Sequence, residues 1–277
     1  MSRRERNWWI VGGIAIVVYA LFPIAWIVSL SFKAPSDIAN GQFLPTDFSW
    51  ANYKTILTGS ASDLFLPALR NSFGICLIAT FISCILAMFA AYAIARLDFP
   101  GKRLILSTAL AVAIFPVISI VTPLFNLWRQ IGLYDTWPGL IIPYLSLTLP
   151  ISIWTMSAFF REIPWEMEQA AQVDGATTWQ AFRKVIVPLA APGVFTTAII
   201  AFFIAWNDFA YGISLTSTEA SRPVPAALGL FSGASQFEDP TGAIAAAAVV
   251  VTIPVVVLVL LFQRRIVAGL TNGAVKG

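Results

Sequence analysis

Six apolar runs, each about 20 residues long and nearly free of charge, constrain this chain most, because each spans a bilayer's hydrocarbon core when wound as a helix. They cover residues 8–31, 69–95, 104–125, 139–160, 193–215 and 241–262. Charged residues make up 11% of the chain, against roughly 25% in soluble domains that must cover a surface in water. The expected fold is an all-α membrane protein, one transmembrane domain over residues 1–277 with six transmembrane helices surrounded by lipid. The first run follows "SRRER". It is too long for a signal-peptide core and no small-x-small cleavage site follows it, so it reads as a retained signal-anchor helix in a chain that begins at or near Met1.

Lysine and arginine accumulate in cytoplasmic loops. With the N-terminus inside, the inner segments hold Arg3, Arg4, Arg6, Arg96, Lys102, Arg103, Arg161, Arg183, Lys184, Arg264, Arg265 and Lys276. Lys33, Lys54, Arg70, Arg129 and Arg222 are left outside. That split predicts a multi-pass protein of the cell membrane with both termini in the cytoplasm.

Composition excludes several chemistries. Histidine is absent, which removes the commonest metal ligand and the usual proton shuttle. Cys76 and Cys84 share one apolar run; on a helix they stand roughly 12 Å apart, beyond disulfide reach. No basic tract suggests nucleic acid, and no Walker-type glycine loop followed by Lys-Ser or Lys-Thr is present. The chain is expected to bind no cofactor itself, and no nucleophile-base constellation marks it as an enzyme.

Prolines interrupt the apolar runs at Pro116, Pro123, Pro143, Pro150 and Pro254. Each removes a backbone donor and predicts a bend, with or without a hinge role. Ser83, Ala87, Ala91 and Ala95 recur every fourth residue, a small-residue stripe against which another helix packs closely.

The stretch "EMEQAAQVDGATTWQAFRKVIVPLAAPG", residues 166–193, falls in the inner loop between runs four and five. It reads as two short helices and a turn. Pro164 suits a first helical position, and Glu166 and Glu168 suit the positive end of the helix dipole. Gly175 stops the first helix. Thr177 and Gln180 have capping-box spacing for a second, with Trp179, Phe182, Val185 and Ile186 as its apolar face, and Pro188 with Pro192 ends the unit. Such a hairpin either docks into another protein or lies on the membrane surface. The short apolar stripe and the crowded acids favour docking.

At these residues the sequence resembles the permeases of ABC importers. "AAQVDGATTWQAFRKVIVPLAAP" looks like their EAA loop: Glu-Ala-Ala, two residues, Asp-Gly-Ala, then a spaced Phe and Pro. Ala170, Ala171, Asp174, Gly175, Ala176, Phe182 and Pro188 match; Gln169 stands where the glutamate belongs, with Glu168 one place earlier. The resemblance implies that the loop over residues 161–192 couples to an ATP-binding subunit through these nine residues, with Glu168 the first candidate for the ionic contact. The tail over residues 263–277, with "RRIVAGLTNGAVKG", and the "AWNDF" of run five are similar to the maltose-permease G group of carbohydrate importers. There the tail, here Thr271, Gly273 and Lys276, reaches between the ATPase subunits.

Over the whole chain, through "ARLDFPGKR", "IGLYDTWPGLI" and "AFFREIPWEMEQAAQVDGA", the resemblance implies a subunit importing a sugar, trehalose. Its implied partners are a second permease forming a heterodimer, two ATP-binding subunits that carry ATP and Mg, and an extracytoplasmic sugar-binding lipoprotein.

Asp208 is an acid well inside a run, which marks a functional candidate. With Trp206, Asn207 and Tyr211 it either lines a sugar pathway or bonds run five to a neighbouring helix. The rival reading of the whole chain, an ion-coupled secondary sugar transporter, would call for paired intramembrane acids or histidines.

Overall fold

The computed structural model describes residues 2–231 and 240–274. Its helices are α1 (Arg3–Ser31), α2 (Ala51–Leu57), α3 (Ser62–Arg96), α4 (Lys102–Ala113), α5 (Val117–Ile131), α6 (Trp137–Glu162), α7 (Trp165–Val173), α8 (Thr178–Ala181), α9 (Val187–Leu189), α10 (Ala191–Trp206), α11 (Ala210–Leu215), α12 (Val224–Gly229) and α13 (Thr241–Ala274). Among the described residues the only strand-like pairing is an isolated bridge between Lys33 and Phe48.

Four helical stretches are long and apolar enough to cross a membrane: Glu5–Ser31, Ser62–Arg96, Trp137–Glu162 and Thr241–Phe262. Two bent pairs, α4 with α5 at 87° and Thr178–Leu189 with α10 at 71°, raise the number to six if each counts as one span. The expected third span is thus broken rather than kinked, because Pro116 adopts an extended conformation between α4 and α5 and has no amide to continue a helix. The expected fifth span is also divided: α10 ends at Trp206 and α11 begins at Ala210.

The chain forms two compact units, Met1–Pro67 with Ala227–Pro254, and Ala68–Ala226 with Val255–Gly277. In the first, Ser2 and Glu5 form a capping box that starts α1. Lys33 is fully buried, its ammonium donating to Asn40 Oδ1 at 3.0 Å and to the Gln42 carbonyl at 2.6 Å. Asn52 donates to the carbonyls of Ser31 and Lys33. Gly242 of α13 lies against it so closely that a Cβ would stand 2.6 Å from Asn52 Oδ1.

The second unit is built around α6. Ser83, Ala87 and Ala91 of the small-residue stripe are fully buried, and Ser83 Oγ meets Ser152 Oγ of α6 at 3.2 Å. On α10, Gly193 lies against Phe159, where a Cβ would be 2.5 Å from the ring. Pro143 and Pro150 sit inside an unbroken α6. Pro143 cannot donate to the Gly139 carbonyl one turn earlier. The Trp128 indole of α5 takes that carbonyl instead, at 2.6 Å. This is how an apolar surrounding tolerates proline: a neighbour satisfies the freed group.

Candidate coupling hairpin and intramembrane polar site

Residues 164–189 form the expected hairpin. Pro164 is the N-cap of α7 and not its first helical residue. Its ring has no donor to contribute at that end, so either place suits it. The turn is as expected: Gly175 adopts φ 89°, and the Ala176 amide reaches back to the Ala171 carbonyl at 2.9 Å. Thr177 and Gln180 close the capping box of α8. Pro188 and Pro192 bracket the end of the unit. The second arm runs from α8 through a π-helical turn, Phe182–Ile186, into α9, and the bend into α10 comes after Leu189.

Two expected contact residues turn inward. Glu168 is 3% exposed, and its Oε1 accepts a 2.5 Å hydrogen bond from the Tyr92 hydroxyl of α3. Phe182 is 5% exposed, with its ring 4.7 Å from that of Tyr92 and 5.8 Å from that of Phe89. Sequence periodicity could place both on hairpin faces, but not choose which face the chain's own helices cover. Arg96, at the end of α3, donates to the Ile163 carbonyl at 2.6 Å and lies over the Trp165 ring. The hairpin's root is therefore held to α3 by polar and aromatic contacts.

The surface left open consists of Gln169, Ala170, Asp174 and Gly175 at the turn end, with Pro188 on the second arm; Ala171 and Ala176 are half-buried. Val173 is 88% exposed and Trp179 56%. An exposed apolar and small-residue surface of this kind, stiffened from behind, is suited to a cleft in another protein. Tyr92 was not singled out by the sequence; its place one residue past the buried Ala91 was the available signal.

The four pathway candidates do not share one wall. Trp206 is buried, stacked on Phe202 and edge-on to Phe73. Asn207 is exposed and bonds back to the Phe203 carbonyl at 2.8 Å. Asp208 accepts from the amides of Gly212 at 3.1 Å and Tyr211 at 3.5 Å, the first turn of α11. It lies in the break between α10 and α11. Tyr211 is buried and lines a cleft of about 240 Å³ with Trp128, Ser146, Phe115 and Leu124. Thr271 and Gly273 fall on the last turn of α13, the Thr271 side chain outside the described set, and Lys276 lies outside the described residues.

Residues 83–272, the hairpin included, match the family described as binding-protein-dependent transport system inner membrane component. The chain belongs to that family. Relatives sharpen the assignment. This permease is 57% identical to the trehalose transport system permease protein SugB of Mycobacterium tuberculosis (strain CDC 1551 / Oshkosh), over the full length of both. It is 36% identical to the trehalose/maltose transport system permease protein MalG of Thermococcus litoralis, over 97% of this chain and 96% of the relative. It superposes with a TM-score of 0.80 and 25% identity on a chain from a bacterial ABC transporter involved in importing the acidic polysaccharide alginate, covering 95% and 98% of the two chains. The permease is thus a transport subunit of the ABC-importer type, and its relatives give no support to the ion-coupled alternative.

Proposed function

We propose that this chain is one half of the membrane pathway of an ATP-driven trehalose importer. The observation that carries the reading is identity along the full length with a trehalose permease, joined to a hairpin whose turn end is free while its root is clasped by α3. In this reading each bent helix pair is one span, giving six, and residues 1–277 act as one transmembrane domain with both termini in the cytoplasm. The hairpin over residues 161–192 seats in a cleft of one of two ATP-binding subunits, which hold ATP and Mg. Gln169, Ala170, Ala171, Asp174, Gly175, Ala176 and Pro188 supply the seat. The tail with Thr271, Gly273 and Lys276 reaches toward the same subunits.

A second permease completes the pathway, and an external binding lipoprotein delivers the sugar. The chain's own work is mechanical: closure of the ATPase pair moves the hairpin, and the hairpin moves α6 and α10, between which it is spliced. The test is co-purification from the native membrane followed by reconstitution. Trehalose-loaded binding protein is expected to raise the ATPase rate of the assembly and to drive uptake. Uptake that follows an ion gradient without ATP overturns the reading.

A further inference from the structure

The sequence motif turns on a glutamate that this chain lacks, and the nearest substitute is buried. Glu168 places one carboxylate oxygen on the Tyr92 hydroxyl, while its other oxygen, Oε2, is buried without a hydrogen-bond partner. A carboxylate so placed is costly to bury, and a hydrogen bond to it in dry surroundings is stronger and more directional than one in water. Around the pair the contacts are stiff: the Phe182 ring from the second arm meets the Tyr92 ring at 4.7 Å, and the Phe160 ring of α6 meets it edge-on at 6.1 Å. Tyr92 therefore touches α6 and both arms of the hairpin from α3. Arg96, one turn further along α3, braces the root by donating to the Ile163 carbonyl.

We propose that Tyr92 and Glu168 are positioning residues for energy coupling, forming a strut that locks the hairpin to α3 so that a push on the hairpin moves α3 together with α6 and α10. Beyond this strut and the Arg96 bond at the root, α3 meets the hairpin through packing, which slides more readily than a directional bond breaks. Two consequences follow for this chain. The seat offered to the ATPase carries no ionic contact from Glu168, and Gln169 beside it is neutral. The proposal rests on the reading that the hairpin seats on an ATPase subunit, and the experiment separates the two.

The full assembly is reconstituted with Tyr92→Phe, Glu168→Ala or Glu168→Gln, and ATP hydrolysed per sugar imported is measured beside the yield of co-purified ATPase. Tyr92→Phe and Glu168→Ala are expected to keep the ATPase bound and to raise ATP per sugar at least about fivefold, the scale set by losing a hydrogen bond to a charged group. Glu168→Gln keeps an oxygen that accepts from Tyr92 and should stay within about twofold of the parent. A disulfide formed between Ala170→Cys and cysteines placed across the ATPase surface reports seating independently. If no such crosslink forms in the parent assembly, the seating itself is wrong. If seating is intact and Tyr92→Phe leaves ATP per sugar unchanged, lowers transport and hydrolysis in equal proportion, or prevents assembly, the strut is wrong.

Discussion

The Asp135 carboxylate accepts a 2.6 Å hydrogen bond from Ser221 Oγ, a residue 86 positions away. Thr218 Oγ1 donates to the same carboxylate at 2.6 Å, Ser217 Oγ at 3.2 Å, and the amides of Ser217 and Thr218 at 3.1 and 3.2 Å. One side chain between α5 and α6 thereby gathers the loop after α11. Asp135 holds φ at 58°, and its amide donates to the Leu215 carbonyl. Aspartate suits both tasks, since it tolerates the left-handed region and offers several acceptor sites.

Asp135→Ala is expected to cost about 2 kcal/mol, losing hydrogen bonds to a charged group while keeping a strained backbone. Asp135→Asn, which tolerates the same φ but turns an amide toward donors, should fall between. pH supplies a second reading. Burial works to raise this carboxyl, and the hydrogen bonds from Ser221, Thr218 and Ser217 outweigh it, holding it at about 2. The folded value thus lies below the unfolded value of about 3.9, so the stabilisation is complete above about pH 4 and drains away as pH falls toward 2. Melting of the purified assembly should lose that acid step in Asp135→Asn. An identical pH profile in both proteins removes the assignment.

How much of this was legible beforehand depends on the scale of the interaction. Four of the six apolar runs, the Gly175 turn and the Thr177–Gln180 capping box follow from local rules, and they stand in the structure. The break at Pro116 was legible as a bend but not as an 87° turn, because the angle is set by what packs around α4 and α5. Pro188 and Pro192 were legible as the end of the unit, and the bend falls between them. The π-helical turn before Pro188 was not legible, because no local residue pattern marks it.

The inward turn of Glu168 and Phe182 was not legible at all. Glu168 suits an exposed hairpin by type and Phe182 an apolar face of either kind, and their burial depends on Tyr92, which lies 76 residues before Glu168. Asp208 shows the same limit: hydropathy placed it well inside an apolar run, but not at a helix break where its carboxylate takes amides of α11. Local polar groups that compete with the helix for its own donors leave little trace in a hydropathy pattern.

Trp128 gives a prediction in which two substitutions should offset each other. Trp128→Phe removes the indole from the Gly139 carbonyl, and Pro143 offers no amide in its place. A buried acceptor left bare costs about 1–3 kcal/mol. Pro143→Ala restores an amide in the position that normally meets that carbonyl, so Trp128→Phe should cost less in that background. A double-mutant cycle on thermal stability checks this, and strict additivity counts against it.

For Asp208 the hydrogen-bonding role and the pathway role make opposite forecasts. As an acceptor of the first amides of α11, Asp208 should be replaceable by Asn, which serves helix starts about as well, while Ala should lose about 1 kcal/mol. Uptake by the Asp208→Asn assembly is expected near the parent level, with Asp208→Ala less stable. Should Asp208→Asn assemble normally yet abolish uptake, its charge acts on the pathway itself.

Gly175 sets the geometry of the surface the ATPase is proposed to grip. A Cβ there would meet nothing within 4 Å, so space is not the obstacle. The obstacle is φ at 89°, where an L-residue pays roughly 1–2 kcal/mol. Gly175→Ala should therefore let the turn relax toward an ordinary conformation and swing Asp174 and Ala176 out of register, leaving the buried root at Glu168 and Phe182 in place. The expected result is intact expression and membrane insertion with reduced co-purification of ATPase and reduced import. Gly175→Asn, better tolerated in that region, should recover part of both. If Gly175→Ala retains full ATPase binding and uptake, the hairpin tip is not where force enters the chain.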